Sequence, residues 1–178
     1  MFVMRGMRRS DLRCVMEVQA VAYDARYHED EVVFAEKLDL FPYGCWIGEM
    51  DSGVVGYLFS HPWQIGAPPE LNAQLGELPK QPDCYYIHDV AVRPSFQGRG
   101  IGRELACKAK TLAAEYEWSR IALVSIQDSQ GFWGKFGFEC VTNLTPTMSE
   151  KIASYGSEAC FMVCNVTWDR SKGGVTLD

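Results

Sequence analysis

What this chain lacks narrows what it can be. No run of 18 apolar residues occurs in its 178, so no segment reads as a membrane span. The first residues, Met1-Phe2-Val3-Met4-Arg5-Gly6, hold no signal-peptide core, which makes a cytoplasmic location the default expectation. Positive charge is short. Lys and Arg number 17 against 23 Asp and Glu, a net charge of −6, and a nucleic-acid partner would usually show a basic stripe. The three histidines, His28, His61 and His88, are not paired with cysteines at zinc spacing, so no metal is expected. The seven cysteines are an odd count without C-x-x-C, most of them in apolar runs, and read as reduced, buried thiols.

What is present is an ordinary globular composition, 47% hydrophobic and 22% charged. It suits one domain over residues 1–170 with a flexible tail at 171–178. Strands are expected at Phe2–Met7, Cys45–Met50, Val54–His61, Tyr85–Val92, Ile121–Ile126, Phe138–Cys140 and Ala159–Trp168. Helices are expected after Ser10, over Val32–Leu40, over Gly100–Glu117, where Ile101, Leu105, Ala109, Leu112 and Tyr116 share a face, and over Asp128–Lys135. Residues 62–83 form a long loop with a short helical piece near Leu71–Leu75, and 141–157 read as polar and irregular. The order predicts an α/β fold: a mixed, mainly antiparallel sheet of six to seven strands with helices on both faces. Its one parallel pair joins residues 84–92 and 121–126 by a right-handed crossover.

The chemistry concentrates in residues 84–103. The strand stops at Pro94 and a glycine turn, Gln97-Gly98-Arg99-Gly100-Ile101-Gly102, opens a helix. Such a turn offers free N–H groups and a favourable dipole to an anion. It is not a dinucleotide turn, because G-x-G-x-x-G fails at Arg103 and again at Leu105. It is not a P-loop either, because no Gly-Lys-Ser/Thr follows. Gln97, Gly100 and Gly102 instead resemble the acyl-CoA signature of the GCN5-related N-acetyltransferases (GNAT). Phe132-Trp133-Gly134-Lys135-Phe136-Gly137-Phe138 is similar to that family's second motif. Tyr86-Ile87-His88-Asp89-Val90-Ala91-Val92 and Ser60-His61-Pro62-Trp63 resemble its arylalkylamine (serotonin) N-acetyltransferase group.

The resemblance implies acetyl-CoA as co-substrate and direct acetyl transfer to the primary amine of a small molecule. Gln97, Gly98, Arg99, Gly100, Ile101, Gly102 and Arg103 would wrap the pyrophosphate. The backbone of Val90, Ala91 and Val92 would hold the pantetheine arm, with the Val90 N–H as oxyanion donor, and Ser129 and Trp133 would add contacts. Tyr23, Tyr27, His61 and Trp63 would line the acceptor pocket, where aromatics suit an ammonium on an apolar body. Asp24 and Glu29 to Glu31 read rather as a solvated loop and a helix N-terminal charge. A homodimer is compatible with the sequence.

An alkylammonium must lose a proton before it attacks. His88 is the best base by position and ordinary pKa, against the bland alternative of a histidine hydrogen-bonded within the sheet. Asp89 is the second candidate, and Tyr86 is a candidate acid. The family's usual acid is a tyrosine where this chain has Trp133, whose indole N–H cannot give up a proton near neutral pH. Another acid then acts, such as Tyr85, Tyr86 or a tyrosine from 23–27, or the thiolate leaves unaided, or the protein binds acyl-CoA without turnover. A non-catalytic acyl-CoA-binding module and a protein or peptide N-acetyltransferase are the alternative readings.

Overall fold

Among the described residues, apolar runs form the seven strands of one sheet, and five α-helices accompany it. The computed structural model describes residues 1–166, together with the backbone pairing of Trp168–Asp169 with Gly174–Val175. Apart from that pairing, the flexible tail expected at 171–178 lies outside the described residues. The elements are β1 (Val3–Gly6), α1 (Leu12–Ala22), α2 (Glu31–Leu40), β2 (Cys45–Met50), β3 (Gly53–Trp63), β4 (Cys84–Val92), α3 (Ile101–Glu115), β5 (Arg120–Ser125), α4 (Gln130–Gly134), β6 (Glu139–Cys140), α5 (Pro146–Ala153) and β7 (Cys160–Asn165). The sheet has the order β1-β2-β3-β4-β5-β7-β6. It is mixed and mostly antiparallel, with the expected parallel pair at Tyr85–Ile121 and Tyr86–Ala122. Among the described residues, no helix is long and apolar enough to cross a membrane.

The chain divides into two compact units. The first comprises Met1–His61, Asn72–Glu77 and Ile87–Ala109. Its core is built from α1, α2 and the β1–β3 meander. Leu12, Val15, Val18 and Gln19 fall on one face of α1 and are buried. Phe34 of α2 stacks on Phe59 at 4.8 Å and meets Tyr57 edge-on at 5.9 Å. At the meander's edge, Arg5 grips both oxygens of Asp11 at 2.7 and 2.8 Å and reaches Glu49 at 2.6 Å. The Arg5 guanidinium holds the Asp11 carboxyl below the usual carboxylate range against the opposing effect of burial. Arg5→Ala is therefore expected to cost about 2 kcal/mol, the scale of hydrogen bonds to charged groups. Asp11's share is present above the unfolded carboxylate pKa and fades as pH falls, which urea unfolding at stepped pH would follow.

The second unit comprises Pro62–Leu71, Leu78–Tyr86 and Lys110–Asp178. Its core joins Cys84, Tyr86, Ala122, Met148, Ile152 and Phe161. Several expectations fail along the chain. Residues 141–157 are not irregular throughout: Thr145 caps α5 through the Met148 N–H at 3.2 Å, and Pro146 sits in its first turn. Met148 and Ile152, four apart, are its buried face. The cysteines are not all thiols either. Cys140 of β6 and Cys160 of β7 form a disulfide, with Cα atoms 6.1 Å apart across neighbouring antiparallel strands. The helical piece expected near Leu71–Leu75 does not form: Leu71 and Asn72 make a turn, and 73–75 are irregular. Along α3, Ile101, Leu105, Ala109 and Leu112 are buried as the spacing predicts, whereas Tyr116 lies past the helix and is exposed.

Candidate active site

The glycine turn is built from β4 outward within the first unit. Beyond Val92, the Arg93 N–H donates to the Val55 carbonyl at 2.8 Å and its Nε donates to that of Val54 at 3.0 Å, so the chain leaves the sheet tied to β3. A single 3-10 turn, Pro94–Phe96, follows. Gln97 then folds back, its Nε2 donating to the Val92 carbonyl at 3.2 Å. Gly98 and Gly100 take φ of +75° and +84°, which L side chains rarely adopt, and nothing lies within 4 Å of where a Cβ would stand on either. The first carbonyl of the α3 ladder is that of Gly100, accepting from the Glu104 N–H at 3.0 Å. The N–H groups of Ile101, Gly102 and Arg103 therefore have no place in that ladder. Arg99 stands over the Phe96 ring at 5.0 Å, and Arg103 is exposed. Open space above two glycines, helix-end donors and two arginines together fit a pyrophosphate.

Further back along β4, in the same unit, lies a cluster of ionisable groups shielded from water. His88 of β4 brings its Nε2 to 2.7 Å from Glu29 Oε2, with side chains only 2% and 5% exposed. Glu29 is fixed on every side. Its backbone N–H and carbonyl exchange hydrogen bonds with the Gln19 amide at 2.8 and 2.9 Å, and its Oε1 accepts from the Asn72 N–H at 2.9 Å. Asn72 begins a strap, residues 72–77, whose Leu75 and Gly76 N–H groups donate to the Glu36 carboxylate at 2.6 and 3.0 Å. The strap also takes the Lys37 ammonium onto the Ala73 carbonyl at 3.3 Å. Next along β4, Asp89 Oδ2 accepts from the Tyr57 hydroxyl at 2.7 Å. Its Oδ1 lies 2.6 Å from Tyr23 Oη, which is 2.8 Å from the Val90 carbonyl oxygen. His61 lies beside His88, ring centroids 6.1 Å apart.

Burial sets the charges. It pushes the His88 imidazolium pKa below the ordinary value more strongly than Glu29 raises it, so the ring is neutral at neutral pH. With its Nε2–H donating to Glu29, the neutral ring carries its lone pair on Nδ1. Burial opposes the Glu29 charge, but His88, Lys37 and the Asn72 amide more than offset it, and Glu29 stays ionised. Lys37 is held below its usual range by burial, against the pull of Glu29, Glu36 and Asp89. Burial pushes Asp89 up to about 7, although both tyrosines act to lower it.

The model of the Acetyltransferase (GNAT) family matches residues 11–138. The chain belongs to the GNAT acetyltransferase family. Among solved structures, the loading GNATL domain of CurA from Lyngbya majuscula aligns at TM-score 0.75, 12% identical, covering 93% of this chain and 98% of that one. The ribosomal-protein-S18-alanine N-acetyltransferase of Escherichia coli aligns at 0.66, 14% identical, over 97% and 98%. A GNAT family acetyltransferase from Brucella melitensis, solved with acetyl-CoA, aligns at 0.60, 18% identical, over 100% and 96%. At these identities the likeness is one of fold. A comparison with curated proteins returned no match.

For a GNAT chain, whose chemistry is acyl transfer from an acyl-CoA, the placement of the expected residues is informative. The structure brings His88, Asp89, Tyr23 and His61 into one buried cluster. Tyr27 is buried under the Arg26 guanidinium, 4.7 Å from its ring. Tyr86 and Trp63 belong to the second unit: Tyr86 sits in its core, and the Trp63 indole donates to the Ala67 carbonyl at 2.6 Å. Ser129 shares a 2.9 Å hydrogen bond with Ser125 at the start of α4. Trp133, where the family pattern has its tyrosine, is buried among Phe132, Phe136 and Phe138 with centroids 5.0–6.2 Å away. Glu29 corrects the sequence reading, being a buried partner of His88 and not part of a solvated loop. Gln19, Tyr57, Asn72 and Lys37 were not singled out at all. Among the described residues, no group of three or more His, Cys, Asp or Glu could hold a metal ion.

Proposed function

We propose that this chain is an acetyl-CoA-dependent N-acetyltransferase that acts on the primary amine of a small molecule, with His88 as the base. The observation that carries this reading is the Glu29–His88 pair. Glu29, its backbone tied to the Gln19 amide and its carboxylate to the Asn72 N–H, holds a neutral imidazole in one orientation, with its basic Nδ1 turned away from that partner. The His88 Nδ1 takes the ammonium proton directly or through one water. The amine then attacks the thioester in a ternary complex, while the Val90 N–H receives the charge developing on the carbonyl oxygen. Gln97 to Arg103 hold the pyrophosphate, and the backbone of Val90 to Val92 holds the pantetheine arm.

An aromatic surround of Tyr23 and Tyr57 beside the Glu29 charge suits a cation with an apolar body, which favours the arylalkylamine class among amines. Thiol release from acetyl-CoA is expected with an arylalkylamine in a panel that also holds polyamines, amino sugars and peptides. The core position of Trp133 favours one other reading, an acyl-CoA-binding module without turnover. Under that reading no amine releases thiol, although CoA binds. Release with peptides alone would point instead to a protein acetyltransferase.

A further inference from the structure

Resting on the transfer reading above, we propose that Asp89 is a neutral carboxylic acid and supplies, through the Tyr23 hydroxyl, the proton taken up by the departing thiol. Three close oxygen–oxygen contacts form one chain in the first unit. Tyr57 Oη lies 2.7 Å from Asp89 Oδ2, Asp89 Oδ1 lies 2.6 Å from Tyr23 Oη, and Tyr23 Oη lies 2.8 Å from the Val90 carbonyl oxygen. Each contact is at hydrogen-bond distance, and each is strongest with a hydrogen of its own between the oxygens. The two phenols bring two hydrogens and the Val90 carbonyl brings none. An ionised Asp89 obliges the single Tyr23 hydrogen to be divided between Asp89 and the Val90 carbonyl, the weaker arrangement. A carboxylic acid supplies the third hydrogen, and all donors then run one way: Tyr57 to Asp89, Asp89 to Tyr23, Tyr23 to Val90.

The surroundings agree. Four groups face Asp89: Tyr23 from the end of α1, Glu29 from the segment before α2, Lys37 from α2 and Tyr57 from β3. Burial is the largest influence and favours the neutral form. Glu29 adds to it, while Lys37 and the two tyrosines oppose, and the balance lies near 7. Burial and the Asp89 and Glu29 charges raise both phenols well above their ordinary range, so they keep their protons.

The chemistry balances. The C–N bond forms as the acetyl C–S bond breaks and its electron pair passes to sulfur. The Tyr23 O–H proton, held at rest by the Val90 carbonyl, moves to the sulfur, and the Asp89 proton replaces it on Tyr23. Asp89, left as a carboxylate, regains a proton from solvent, while His88 passes to solvent first the proton taken from the ammonium and then the second proton that the nitrogen loses as the amide forms, a net release of one proton for each thiol. The donor thus sits next to the strand backbone assigned to pantetheine, and the inability of Trp133 to act as an acid ceases to matter.

Infrared difference spectra of the whole chain, wild type against Asp89→Asn, read the resting state without turnover. A carboxylic-acid C=O band at mildly acid pH, lost in the variant, is expected. Asp89→Asn keeps an acceptor for Tyr57 and a donor for Tyr23. It is expected to bind acyl-CoA as the wild type does, to release thiol about 10²–10⁴-fold more slowly, and to lose the alkaline fall of kcat. Tyr23→Phe is expected to keep the acid band and show the same loss of rate, which serves if Asp89→Asn does not fold. A carboxylate band at Asp89 overturns the proposal, as does unchanged thiol release or an unchanged alkaline limb in a folded Asp89→Asn. If the wild type itself releases no thiol with any amine, the transfer reading falls and the donor role with it. That result is distinct, because the variants then have no rate to lose.

Discussion

His88→Ala is expected to lower kcat/KM for amine acetylation by about 10²–10⁴-fold, the range that a positioned base contributes. The substitution also strips Glu29 of its partner, and a buried group left unsatisfied costs roughly 1–3 kcal/mol. A loss of rate caused by misfolding must therefore be separated from loss of the base. His88→Gln does this, since its amide can donate to Glu29 but cannot take a proton. The glutamine variant is expected to regain most of the stability and none of the rate, read by thermal unfolding and by initial velocities. The pH profile supplies an independent check. Burial holds the His88 imidazolium below its ordinary range, so the acid limb of kcat/KM should fall below 6.5. Glu29→Gln removes an influence that raises His88, and should move that limb further to acid. Near-wild-type velocity in the glutamine variant would end the case for His88 as base.

How much of this could be read from the chain alone depends on whether the signal was local. The glycine turn was legible because each of its parts is a property of nearby residues: Pro94 ends the strand, Gly98 and Gly100 permit positive φ, and Ile101, Leu105 and Ala109 start one helix face. His88 was legible because an ionisable side chain in an apolar strand stands out. Its partner was not. Glu29 lies 59 residues away among other acids, in a stretch whose composition is that of a solvated loop. Only the Gln19 amide and the folded-back strap at Asn72 take it out of water, and both contacts are tertiary. Lys37 gave no warning for the same reason, since a lysine in a helix is ordinarily solvated. The short helix α5 did have local signals, Thr145 before Pro146 and an apolar pair four apart, but its polar surroundings outweighed them. The Cys140–Cys160 bridge follows from the antiparallel register of β6 and β7, which cysteine spacing does not encode.

The protonation state of Asp89 should also govern how stability changes with pH. A rise in its pKa from 3.8 to about 7 is worth about 4 kcal/mol, at 1.36 kcal/mol for each tenfold gain in proton affinity. Its sign is opposite to that of an ion-paired carboxylate. Between these two values the folded protein binds the proton and the unfolded chain does not, so stability falls as pH rises. The contribution is complete below about 4 and gone once pH has passed about 7. His88 acts the other way. Its folded pKa is lowered, so its contribution is present above the ordinary histidine value and is lost as pH falls. The wild-type curve alone mixes the two. Subtracting the curve for Asp89→Asn isolates the first, because that variant keeps His88 and Glu29. The wild type is expected to lose about 4 kcal/mol relative to the asparagine variant across that interval, in urea unfolding at stepped pH. Against a typical total of 5–15 kcal/mol this is a large fraction. A flat difference curve would mean that Asp89 ionises in the fold much as it does in the open chain, and that two tyrosines and a lysine outweigh its burial.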